Sequence, residues 1–135
     1  MKIYFAGAIR GGRERVEDYS KIVKKLQEFG EVLTVHVANP ELRDSGEKNM
    51  SMEEIYNRDV EWLKQSDLII AEVSIPSLGI GYELGLAERL EKRVICFYDK
   101  NADKSLSAMI GGNKKFEIVR YNSVDEVILY LDNLK

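Results

Sequence analysis

A doubly wound α/β fold built on a parallel sheet is what this sequence predicts, and three observations predict it. Short apolar runs recur at residues 2–6, 31–37, 67–72, 93–98 and 116–121. Segments of helical period separate them, and strands alternating with helices form parallel sheets covered on both faces. The length, 135 residues, suits one domain spanning 1–135, with a real core and no second one.

The elements follow in order. Lys2-Ile3-Tyr4-Phe5-Ala6 is a first strand ended by Gly7. A helix from about residue 13 carries Val16, Tyr19, Ile22, Val23, Leu26 and Phe29 on its apolar face, and Gly30 stops it. Residues 31–37 are a second strand. Residues 38–50, polar and holding Pro40 and Gly46, read as a long loop. Ser51-Met52-Glu53-Glu54 is a capping box opening a helix to about residue 66. Residues 67–72 are a third strand, 81–91 a helix and 93–98 a fourth strand. Residues 99–115 form a second long loop with a short helical turn near Leu106-Ser107-Ala108-Met109. Residues 116–121 are a fifth strand, and the capping box Ser123-Val124-Asp125-Glu126 opens a last helix. Five strands in this pattern suit a flavodoxin-like, Rossmann-like sheet. Its ligands bind outside the carboxyl ends of the strands, here residues 7–12, 36–50, 74–83 and 99–112. Unstructured loops as long as these two are uncommon unless they do something.

Composition narrows the function classes. A net charge of −3 argues against a nucleic-acid polymer or an anionic membrane as partner, so any phosphate must be read locally. The one cysteine, Cys96, excludes an internal disulfide and a multi-cysteine metal site, and suits a reducing compartment. Its apolar strand raises a thiol's pKa, which argues against nucleophilic use. The first nine residues are too short for a membrane span and lack the order of a signal peptide. A cytoplasmic location is expected, or a nuclear one in a eukaryote.

Two carboxylates break the apolar pattern. Glu83 follows the glycine-rich stretch Ser77-Leu78-Gly79-Ile80-Gly81-Tyr82 and shares a helix face with Leu86, Ala87 and Leu90. A helix beginning at Gly81 puts Glu83 in the first turn, where free N–H groups and the dipole favour the anion. An ionised carboxylate in a cleft suits a nucleophile; a first-turn Glu that merely balances the dipole is the alternative. Asp59 projects into the stripe Met52, Ile55, Tyr56, Val60 and Leu63, while Asn57, Glu61 and Lys64 form the polar face. Desolvation there raises its pKa, which suits a general acid; a structural Asp paired with a buried donor is the alternative. Two carboxylates in opposite environments are the arrangement that breaks glycosidic bonds through a covalent intermediate.

The loop Gly7-Ala8-Ile9-Arg10-Gly11-Gly12-Arg13 presents glycines, arginines and a helix start to an anion, yet matches neither a Walker loop nor the dinucleotide fingerprint. It reads equally as a solvated turn. His36 ends the second strand near the cleft, alone and so no metal site. Ser77 and Ser107 lie in cleft loops and can donate to phosphate or simply make turns. Tyr4 matters only if its hydroxyl reaches Glu83; otherwise it is core, and Trp62 is a packing or interface residue.

Taken together these pieces resemble the 2'-deoxynucleoside 5'-phosphate N-hydrolases of the nucleoside 2-deoxyribosyltransferase superfamily. The resemblance rests on Tyr4-Phe5-Ala6-Gly7-Ala8-Ile9-Arg10-Gly11-Gly12-Arg13, Val32-Leu33-Thr34-Val35-His36-Val37-Ala38 and Arg58-Asp59-Val60-Glu61-Trp62-Leu63. It continues through Ala71-Glu72-Val73, Pro76-Ser77-Leu78-Gly79-Ile80-Gly81-Tyr82-Glu83-Leu84-Gly85 and Leu106-Ser107-Ala108-Met109-Ile110. It implies hydrolysis of deoxynucleoside monophosphates to free base and 2-deoxyribose 5-phosphate, with no cofactor or metal. Glu83 is then the nucleophile, Asp59 the proton-handling partner and Tyr4 the residue orienting Glu83. Arg10, Ser77 and Ser107 hold the 5'-phosphate, within a substrate site that includes Gly7, Ala8, Ile9, Gly11, Gly12, Arg13, His36, Gly79, Ala108 and Met109. It further implies a homodimer in which the Ser107 loop reaches across to the partner's site. One departure stands out: Ala8 occupies a position where the family usually has Ser. Two other readings remain open, deoxyribosyl transfer between bases and a nucleotide-binding sensor without catalysis. Arg10, the Gly11-Gly12 turn and Ser107 argue against transfer; the pair Asp59 and Glu83 argues against the sensor.

Overall fold

Five strands, β1 Lys2–Ala6, β2 Glu31–Val32, β3 Leu68–Glu72, β4 Arg93–Asp99 and β5 Glu117–Tyr121, form one sheet in the order β2-β1-β3-β4-β5. Every pairing is parallel, which is the flavodoxin-like arrangement the alternation predicts. The chain is described by a computed structural model at residues 1–9, 15–39, 41 and 47–134. Its helices are α1 Val16–Leu26, α2 Met52–Gln65, α3 Leu78–Arg89, the single turn α4 Ala108–Gly111, and α5 Val124–Asp132.

Strand periodicity sorts the core into two layers. Ile3, Phe5, Leu68, Ile70, Ile95 and Phe97 face one way, and Tyr19, Ile22, Leu26, Val127 and Leu131 of α1 and α5 close over them. Tyr4, Ala6, Ile69, Ala71, Val94 and Cys96 face the other way, under Leu63 of α2 and Ile80, Leu84 and Ala87 of α3. The register Tyr4 opposite Ile69 therefore sends Tyr4 toward α2 and α3. A slip of one residue would turn it to the opposite layer. Cys96 is buried and free, and that burial pushes its thiol up to about 12.

Two boundaries and one burial pattern depart from the sequence reading. The second strand stops at Val32 instead of 37. Thr34 Oγ1 accepts from the Phe5 N–H at 2.8 Å and donates to the Phe5 carbonyl at 2.7 Å. One hydroxyl thus takes both backbone groups that a longer β2 would have bonded, and Val35–Ala38 curl into a 3-10 turn. α3 starts at Leu78 rather than 81, because Ser77 caps it by accepting from the Ile80 N–H. The α2 stripe is also less buried than its period suggests: Leu63 is buried, but Met52 is 78% and Tyr56 51% exposed. That helix lies against α3 and β1 and leaves part of its apolar face open. Both capping glutamates act as read: Ser51 and Glu54 complete a reciprocal box, and Glu126 accepts from the Ser123 N–H. Among the described residues, no helix is long and apolar enough to cross a membrane.

Candidate active site

Glu83 is the sixth residue of α3, one turn deeper than a start at Gly81 implies. It therefore lies beyond the free N–H groups that would favour its anion. Its environment is set by burial instead, which pushes its carboxyl up to about 8. The expectation of a carboxylate ionised by a helix start is corrected accordingly. The compensating contact comes from the sheet: Tyr4, 1% exposed, donates its phenol to Oε2 of Glu83. A hydrogen bond to the charged form works against burial and pulls the carboxyl back toward ionisation.

Asp59 projects from the middle of α2. Its pKa is raised by desolvation, the effect its apolar stripe predicts, and lowered in part by Arg58, whose Nε donates to Oδ1 at 2.9 Å. Arg58 is itself held by Glu47, at 2.8 Å through Nη1 and 2.7 Å through Nη2.

The three carboxylates of Glu47, Asp59 and Glu83 meet in a cavity of about 400 Å³ that Gly7, Ile9, Ile55 and residues 76–80 also line. It opens past the carboxyl ends of β1 and β3, where the strand order reverses and such folds bind ligands. A second lobe of about 210 Å³ between α2 and α3 shares Asp59, Gly79 and Glu83 and adds Tyr56, Val60, Leu63, Tyr82 and Leu86. The two carboxylates stand where the lobes join.

The remaining predicted site residues divide. Gly7, Ile9, Ser77 and Gly79 line the cavity with Asp59 and Glu83. Arg10, Gly11, Gly12 and Arg13 lie outside the described residues. Ala8 is fully buried, and its N–H donates to the Tyr19 hydroxyl at 3.0 Å, so neither points into the cavity. His36 stands behind the wall, 3.3 Å from Arg58 Nη2, with its ring against Trp62. Ser107 and Met109 line a separate hollow of about 470 Å³ on the far side of residues 76–78, and Ala108 opens α4 beside them. That hollow is the larger, but it contains neither Glu83 nor Asp59.

Sequence reasoning overlooked Glu47 and Arg58. Glu47 lies in a loop with no pattern, whereas Arg58 carried a signal in its place beside Asp59. It also missed a buried network at the carboxyl ends of β3 to β5. Glu72, fully buried, accepts from Ser74 and from the Tyr121 hydroxyl. Nearby, Arg15 pairs with Asp99 at 2.8 Å, so the start of α1 is tied to the end of β4.

The family model for nucleoside 2-deoxyribosyltransferase matches residues 3–119. The chain belongs to that family. A 5-hydroxymethyl-dUMP N-hydrolase of Danio rerio is 54% identical over 112 residues, covering 83% of this chain and 78% of that one. One of Tetraodon nigroviridis is 47% identical over 136 positions, covering 98% and 96%. Among solved structures, a CMP N-glycosidase of Clostridium botulinum superposes with a TM-score of 0.71 at 20% identity, covering 98% of this chain and 99% of that one. In this family member Asp59 and Glu83 line one cavity, and Tyr4 donates to Glu83.

Proposed function

We propose that this protein hydrolyses the N-glycosidic bond of 2'-deoxynucleoside 5'-monophosphates. The observation that carries the reading is the meeting of Glu83 and Asp59 at one cavity, with Tyr4 donating to Glu83, in a chain 54% identical over 112 residues to a 5-hydroxymethyl-dUMP N-hydrolase. In the first step a Glu83 oxygen attacks C1', the bond from C1' to the base nitrogen breaks, and Asp59 gives its proton to the departing base. In the second, Asp59 takes a proton from water, which attacks C1' and releases 2-deoxyribose 5-phosphate and free Glu83. Tyr4 holds Glu83 in place and favours its anion. Ile9 and Ile55 offer the base apolar walls. Ser77 Oγ accepts from the Ile80 N–H, which leaves its own proton for the phosphate, alongside Arg10 and the rest of the loop of residues 7–13 other than Ala8.

A homodimer completes the site. Ser107 stands in the neighbouring hollow, so within one chain it does not meet Glu83. Leu78 is 97% and Met109 84% exposed, large apolar groups bordering that hollow that a second copy would cover. The Ser107 loop of each subunit then supplies the other's phosphate site. A reducing compartment, the cytoplasm or a nucleus, suits the single buried thiol.

The deciding assay incubates the protein with matched deoxynucleotides, ribonucleotides and deoxynucleosides, 5-hydroxymethyl-dUMP among them, and separates the products by chromatography. Free base from the deoxynucleotides is expected, with ribonucleotides spared: a 2'-hydroxyl withdraws electrons from the cation-like transition state and crowds the nucleophile. Comparable rates on both sugars would overturn the reading. Base exchange on adding a second base, without phosphate dependence, would make the protein a transferase.

A further inference from the structure

Arg58 holds its partners with three nitrogens at once. Nη1 and Nη2 fork onto Glu47, Nε and Nη2 reach Asp59 Oδ1, and the guanidinium lies 4.7 Å from the centre of the Trp62 ring. One cation is thus wedged between two carboxylates that both line the catalytic cavity. Both Glu47 oxygens are engaged. Of Asp59 only Oδ1 is held, and no described residue hydrogen-bonds Oδ2.

We propose that Glu47 and Arg58 form a charge couple that sets the proton affinity of Asp59 and makes its Oδ2 the oxygen that exchanges the proton. Arg58 is a positioning residue and Glu47 its counter-charge; the functional part rests on reading Asp59 as the proton-handling group. An arginine facing Asp59 alone would hold that carboxyl ionised and leave it no proton to give. Glu47 offsets the cation, so Arg58, Glu47 and a protonated Asp59 together are neutral, which suits a partly desolvated wall. Two other groups face this cluster. His36, from the 3-10 turn, lies 3.3 Å from Arg58 Nη2 and 3.9 Å from Glu47, and a positive charge on its ring would act with Arg58 to lower the Asp59 carboxyl. Glu83, on α3 across the cavity, is engaged by Tyr4 of β1. In agreement, Arg58 holds the Glu47 carboxyl below the usual range, and Glu47 adds to the rise at Asp59 that burial begins.

The couple makes two substitutions act in opposite directions. Glu47→Gln keeps the shape of the wall and returns the full cation to Asp59, so the Asp59 pKa falls. Arg58→Gln removes the cation and leaves Glu47 facing Asp59, so it rises. Each shift is expected at about one unit or more. The measurement is carboxyl carbon NMR titration of the full-length protein, with Asp59 assigned by the signal lost in Asp59→Asn, alongside the pH dependence of kcat on 5-hydroxymethyl-dUMP. The limb that follows Asp59 should move with the NMR value, kcat falling tenfold or more and KM changing little. Shifts of the same sign, or none, would overturn the proposal. If Arg58→Gln does not fold, the sign for Glu47→Gln decides. Opposite shifts in a protein that releases no base would uphold the couple and sink the hydrolase reading instead.

Discussion

A carboxyl held near 8 inside a cavity makes Glu83 a source of instability. Its reference value is 4.5, so between pH 4.5 and about 8 the folded state binds the proton that the unfolded state has released. Stability contributed by the neutral form is thus complete below pH 4.5 and is lost as pH rises toward 8. Glutamine copies the protonated acid. Glu83→Gln should therefore melt within a degree or so of wild type near pH 5 yet several degrees higher at pH 8.5, while losing several orders of magnitude in rate. Melting scans at the two pH values and a base-release assay check both halves; equal gains at both would assign the burial effect elsewhere. Tyr4→Phe removes the hydrogen bond that Tyr4 gives to Glu83, which favours the anion, so the acid limb of kcat/KM should move to higher pH. At Asp59 the expected loss on Asp59→Asn is about 10²–10⁴-fold, read in the same assay. An unchanged pH profile at near-normal rate would make that residue structural.

At the scale of elements, α3 is defined by its two ends. Ser77 begins it, and that placement decides how far from the helix start Glu83 lies. It ends in a Schellman-type turn, with Lys92 N–H on the Ala87 carbonyl and Glu91 at φ 57°, the left-handed region where glycine is usual. A side chain there costs about 1–2 kcal/mol, and glycine's added freedom when unfolded offsets roughly 0.5–1 of it. Glu91→Gly should therefore stabilise the protein by up to about 1 kcal/mol without touching catalysis, as a denaturant midpoint would show. The α3 start also shows what was hidden in the sequence. Two glycines at 79 and 81 look like a turn that delays the helix, whereas the structure absorbs both in its first turns. Ser77, three residues before Ile80, was the better signal. For β2 no comparable signal exists: whether Thr34 continues the strand or caps its neighbour depends on Phe5, 29 residues away.

The whole molecule raises the question of where one site ends. Two hollows separated by residues 76–78 put Glu83 and Ser107 apart in a single chain. If the second copy supplies Ser107, a mixed dimer of Glu83→Gln and Ser107→Ala chains contains one intact site, built from Glu83 of one chain and Ser107 of the other. Mixing two weakened homodimers should then restore activity. No recovery after subunit exchange, verified by light scattering, would confine the site to one chain.

What the sequence by itself determined was periodic or local. Alternating strands and helices set the sheet, the capping boxes set the start of α2 and the N–H partner of Glu126, and polar breaks in apolar stripes singled out Asp59 and Glu83. What only the tertiary structure decided was long-range. The register of β1 on β3 aims Tyr4 at Glu83, 79 positions away, and a loop carboxylate at 47 meets Arg58. Burial then overrode the local dipole argument at Glu83, because desolvation depends on everything packed around a group and no stretch of neighbouring sequence contains that sum.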